Sequence, residues 1–232
     1  MMISPNRRTV PSRNPQGREA LIRELTEGVT PVARVTNRQG IALVAFATIA
    51  AAIAAIAIHG FWMGIVSGEA SAMFWITNLL LGLLGAASTS ALVASALPRV
   101  GSRSSAPLWG AAMLGVVPLA ALLTLVPVAT PHSHGADTLA EPLLWYWECA
   151  AYGLAAGLLV AFAAVMFLRR GAPVSLERAG WLTGLAAGAL GSVAYGITCP
   201  LDGLHHVGIV HVAPVAIGAV LGRLVVPRLI RW

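Results

Sequence analysis

The sequence predicts an all-α, polytopic membrane protein: six transmembrane helices, both termini in the cytoplasm, and a short cytoplasmic helix ahead of the first span. Three observations predict it. Of the 232 residues 57% are hydrophobic and 10% charged, with a mean hydropathy of +0.79, an apolar excess that no soluble core requires. Six runs, 41–59, 73–97, 108–129, 143–168, 181–199 and 208–227, match the roughly 20 apolar residues that a span takes. The 15 basic residues are all arginine and fall on one side. Seven (Arg7, Arg8, Arg13, Arg18, Arg23, Arg34, Arg38) precede the first run. Arg99 and Arg103 follow the second, Arg169, Arg170 and Arg178 lie between the fourth and fifth, and Arg223, Arg228 and Arg231 close the sixth. Loops 60–72, 130–142 and 200–207 have none, which places them outside and both termini inside. The net charge of +6 is thus a topology signal. It is spread over several loops rather than gathered in a basic stripe, so no direct nucleic-acid partner is expected.

Residues 1–17 carry Pro5, Pro11 and Pro15 among arginines, with too little apolar surface to offset the entropy of ordering, and read as a flexible tail. Residues 18–40 read as a cytoplasmic segment. In it Leu21, Ile22 and Leu25 recur at helical spacing among Arg18, Glu19, Arg23 and Glu24. Gly28 and Pro31 limit that helix, and Val29, Val32 and Val35 continue its apolar strip. Such a segment either lies on the bilayer surface or docks a cytosolic partner.

Residues 41–232 form the six-helix domain. Span one ends at His59-Gly60, before an interfacial Phe61 and Trp62. Span two starts near Met73 and Trp75 and is closed by Pro98. Span three contains Pro118, which kinks it or is accommodated by neighbours. Span four opens on Trp145, Tyr146 and Trp147 at the outer interface, with Glu148 and Cys149 at or just beneath it. Gly153 and Gly157, Gly184, Gly188 and Gly191, and Gly218 and Gly222 give spans four, five and six small-residue faces for close packing in lipid. Pro200 stops span five, leaving Cys199 at its last turn and Asp202 just beyond.

Both cysteines (Cys149, Cys199) and all six histidines (His59, His132, His134, His205, His206, His211) belong to the outer side. Thiolate and imidazole are the usual ligands of thiophilic metals, and thiols are the groups oxidation reads first. Cys149 heads span four and Cys199 ends span five, so antiparallel neighbours would hold them at similar depth, either near enough to bridge or as two inert buried thiols. Cys199, Asp202, His205 and His206 follow no established zinc spacing; Cys149, Cys199 and His205 are the metal candidates. No cofactor is expected beyond a thiophilic ion acting as a signal. Serine nucleophiles, phosphate loops and dinucleotide fingerprints appear in no convincing context, so enzyme activity is not indicated.

The stretches WLTGLAAGALGSVAYGITCPLDG and GRLVVPRLIRW resemble the C-terminal half of NrsF-like anti-sigma factors, six-span inner-membrane proteins that restrain extracytoplasmic-function sigma factors. WECAAYGLAAGLLVAFAAVMFLRRGAP is similar to their fourth span, and LIRELTEGVTPVARV to their N-terminal cytoplasmic segment. The resemblance implies a protein of the bacterial inner membrane in which a cysteine pair, here Cys149 and Cys199, is needed to release the sigma factor under heavy-metal or oxidative stress. Glu148, Asp202, His205 and His206 are the residues that could support that pair. Leu21, Ile22, Arg23, Leu25, Val29 and Val32 would hold the sigma factor. A metal transporter or membrane thiol oxidoreductase using the same Cys/His face is the alternative. Against it, the spans offer few polar groups at mid-membrane, and the chain has no C-x-x-C.

Overall fold

The computed structural model describes residues 15–27, 35–97, 104–124 and 143–231, and among them every regular element is helical. The chain forms two units, Met1–Arg34 and Val35–Trp232. In the first, α1 spans Pro15–Thr26 and stops where the Thr26 hydroxyl donates to the carbonyls of Ile22 and Arg23. Its apolar side chains are more than half exposed: Leu21 54%, Ile22 52% and Leu25 66%. Val29 and Val32 lie outside the described residues.

In the second unit, α2 (Asn37–His59) opens on a reciprocal cap: the Thr36 hydroxyl accepts from Gln39 N, and Thr36 N donates to Gln39 Oε1. Two otherwise orphaned donors are satisfied in this way. Gly60, at φ 83°, lets the chain leave the helix. A single turn, α3 (Gly64–Ser67), leads to α4 (Ala72–Ser95), and α5 (Ala106–Thr124) follows. The latter runs through Pro118 without interruption. Next come α6 (Leu143–Leu168) and α7 (Leu176–Gly196), then a π-helical turn, His206–Val210, and α8 (Ala213–Leu229).

Five helical segments are long and apolar enough to cross a membrane: Asn37–His59, Ala72–Ser95, Ala106–Leu123, Trp147–Leu168 and His206–Leu229. They coincide with the expected spans one to four and six, except that residues 125–129 of span three lie outside the described residues. The expected fifth span corresponds to α7, which does not reach the same hydropathy. Its composition has a structural reason. Fourteen of its 21 residues are buried, nearly all of them Gly, Ala, Ser or Thr, and α7 packs against α2, α4, α6 and α8. A helix enclosed by others needs small side chains more than apolar ones.

The glycines of α7 do not all serve one neighbour, as their common helical face suggests. A Cβ at Gly188 would lie 2.7 Å from Val215 Cα, and one at Gly180 2.5 Å from Gly222 O, both on α8, whereas one at Gly191 would meet Gly157 of α6. The three helices cross, so one strip of α7 faces α8 along residues 180–188 and α6 at residue 191. Gly157 makes the reciprocal approach, with a Cβ there 2.7 Å from Ala187 O.

Candidate functional site

The end of α7 builds the site. Beyond Gly196 the chain makes one tight turn, Thr198 N donating to Tyr195 O at 2.9 Å and Cys199 N to Gly196 O at 3.3 Å, before Pro200 removes the next donor. The Thr198 hydroxyl closes the same turn on Tyr195 O at 2.7 Å. Cys199 is left almost fully buried. Cys149, on the second turn of α6, is half-buried and meets it, with the two Sγ atoms 3.8 Å apart. The Tyr195 hydroxyl donates to Cys149 Sγ at 3.6 Å, and His206 Nε2 lies 3.3 Å from Cys199 Sγ. The two sulfurs and an imidazole nitrogen all lie within 4.8 Å of one another.

Aromatic rings surround this cluster. His59 of α2 meets the rings of Tyr152 and Tyr195 edge-on, at 4.3 and 5.4 Å. His211 stacks on Tyr195 at 6.2 Å and stands 5.1 Å from the ring of His206. Imidazoles from α2 and from the π-helical turn with its C-terminal cap thus gather around the thiols and their tyrosines. Tyr152 lies three residues after Cys149 and Tyr195 four before Cys199, spacings that share a helical face; those offsets were the signal available in the sequence. The convergence of His59 and His211 had none.

Three of the expected supporting residues are placed elsewhere. His206, not His205, reaches the thiols: His205 is exposed, and the π-helical turn that begins at His206 directs that side chain into the bundle. Glu148 is exposed beside Cys149. Asp202 does not face the cluster. Its Oδ2 accepts from Ser71 N at 2.6 Å and its carbonyl from the Ser71 hydroxyl at 2.8 Å, while the Ser71 Oγ caps Phe74 N. This carboxylate therefore holds the loop after α7 to the start of α4, where an acidic group also suits the helix dipole. His132 and His134 lie outside the described residues.

The class so defined is a multi-pass helical membrane protein with its two thiols paired at one end of the bundle. Residues 25–232 match the NrsF family, described as negative regulator of sigma F; the chain belongs to that family and is a negative regulator of a sigma factor. The match begins at Leu25, within α1. No curated protein and no solved structure matches the chain.

Proposed function

We propose that this protein is a membrane-bound anti-sigma factor that holds an extracytoplasmic-function sigma factor on the cytoplasmic face of the inner membrane and releases it when the Cys149–Cys199 pair is altered by heavy-metal or oxidative stress. Residues 18–35 hold the partner, and six spans place both termini inside. The arginine pattern supports that topology. So does the grouping of Arg178 and Arg223 at one end of the bundle, where Arg178 donates to Ser104 O at 3.3 Å and Arg223 pairs with Glu177 at 2.5 Å. A reporter fused after Trp232 is expected to be active only in its cytoplasmic form; activity confined to the outer form would overturn the orientation.

The observation that carries the reading is the meeting of the chain's two thiols. A change at the pair displaces α6 against α7, since their glycine contacts leave no slack to absorb it. Transmission requires differential stabilisation. A bond or ligand favouring the released state by about 3 kcal/mol shifts the equilibrium more than roughly a hundredfold. Either thiol alone cannot form the pair, so Cys149→Ser, Cys199→Ser and the double variant are each expected to lose induction to the same degree. The measurement is sigma-dependent transcription with and without cadmium or chromate. Normal induction in either single variant would sink the paired-thiol mechanism.

A further inference from the structure

We propose that Cys149 Sγ, Cys199 Sγ and His206 Nε2 form a binding site for one divalent, thiophilic d10 cation, such as Cd2+ or Zn2+, with a coordination position left open. The inference deepens the sensor reading above and rests on it only for its biological use; the site itself is argued from geometry.

The distances fit such an ion. Zinc–sulfur bonds of about 2.3 Å in tetrahedral geometry separate two ligand sulfurs by about 3.8 Å, and a nitrogen at about 2.0–2.1 Å from zinc stands about 3.6 Å from each sulfur; the larger Cd2+ needs a slightly wider set. The sulfurs here are 3.8 Å apart and the Cys199 Sγ to His206 Nε2 separation is 3.3 Å. The donors therefore stand near the corners of a coordination polyhedron before any ion arrives. The remaining pair, Cys149 Sγ and His206 Nε2, lies within 4.8 Å, and a swing of the His206 ring toward Cys149 closes the triangle.

Charge selects its valence. Cys199 and His206 are 2% and 4% exposed, and a net charge there is costly. Two thiolates with a divalent ion sum to zero, which favours a divalent over a monovalent ion of the same softness. On binding, both S–H bonds break, the two protons leave to water, and two metal–sulfur bonds and one metal–nitrogen bond form. No electrons are transferred. Cys149, the half-buried member, provides the approach.

Neighbouring side chains orient the donors. The Tyr195 hydroxyl donates to Cys149 Sγ, and His211 stands edge-on to the His206 ring, so that one thiolate and the imidazole are both oriented by outer neighbours. Three protein donors also differ from the four of a closed structural site. An open position suits reversible capture. It also ties three elements together: α6 through Cys149, the end of α7 through Cys199, and the entry to α8 through His206.

The test is titration of the purified full-length protein with Cd2+ alone, following the thiolate-to-metal charge-transfer band and the protons released at pH 7, where free thiols are mostly protonated. The expected result is one Cd2+ per chain and two protons per ion. His206→Ala is expected to weaken binding at least roughly tenfold while leaving the band and proton count in place. X-ray absorption of the wild-type complex, expected to show two sulfurs and one nitrogen, tests the donor set without any variant. Absence of the band, unchanged affinity in His206→Ala, or a cadmium shell lacking nitrogen would each overturn the site. None of these bears on transcription. A protein that binds Cd2+ as expected while its single cysteine variants induce normally would leave this site standing and remove the sensor reading, and the converse pair of results would do the reverse.

Discussion

Gly184→Leu is expected to abolish the folded membrane domain. A Cβ at Gly184 would fall inside the Gly218 carbonyl, 2.6 Å from its carbon and 2.8 Å from Ala219 Cα. All three are backbone atoms, which cannot rotate away as a side chain would. The seam must open instead, and opening it at Gly184 also parts Gly180 from Gly222 and Gly188 from Val215. Inserting extra methylenes into a packed core costs about 1–3 kcal/mol where neighbours can adjust. Here they cannot, and the loss runs along the whole contact, a large share of the about 5–15 kcal/mol that stabilises a typical protein. Gly82→Ala and Gly115→Ala are the controls. A Cβ at either position meets nothing within 4 Å, and replacing a helical glycine by alanine stabilises by up to about 1 kcal/mol. Size-exclusion profiles and thermal unfolding of the detergent-solubilised proteins should show the first variant aggregated and the other two at or above the wild-type midpoint. A wild-type profile for Gly184→Leu would mean that α7 and α8 do not pack at this distance.

Leu25→Asp, and separately Leu21→Asp, is expected to release the sigma factor while the chain remains in the membrane. Both leucines are more than half exposed on α1, so neither substitution disturbs a core. A partner's apolar groove would have to take up a carboxylate, at a cost of several kcal/mol. Since a micromolar complex is held by about 8 kcal/mol, a loss of about 3 kcal/mol weakens it more than roughly a hundredfold. Co-purification from native membranes should therefore recover sigma factor with the wild-type chain and none with either variant. A different pattern would assign the helix another role: retention of the sigma factor together with altered membrane fractionation is what a helix lying on the bilayer surface would give.

Much of this architecture was legible because lipid simplifies the code. Among the described residues each apolar run of span length lies mostly in a helix or, for 208–227, in a π-helical turn and a helix, and the run 143–168 coincides with α6 to the residue. The small-residue pairs Gly153/Gly157 and Gly218/Gly222 meet α7, as helices packed in lipid require. Antiparallel neighbours placed the two thiols at similar depth, and that they meet, with Sγ atoms 3.8 Å apart, is one of the two arrangements the sequence left open. What escaped the sequence depends on details that periodicity does not carry. His205 and His206 are adjacent, and a π-helical turn, with its wider helical repeat, decided which of them reaches Cys199. Asp202 stands between Cys199 and His205 in sequence, yet its partner is Ser71, 131 residues away. The division of the α7 glycines between α8 and α6 arises from helix crossing, which one helix viewed alone cannot express.

The enclosure of α7 has a consequence for the bilayer itself. Membrane helices ordinarily tilt or stretch the surrounding lipid when their apolar length and the hydrocarbon thickness disagree. Most of α7 is shielded by α2, α4, α6 and α8, whose outer faces carry the exposed Phe46, Ile53, Leu79, Phe162 and Leu221. Acyl chains press on those four helices and reach α7 chiefly through them. A change in lipid chain length or fluidity would thereby be distributed over the outer ring, and the helix that leads into the Cys199 turn would be insulated from it.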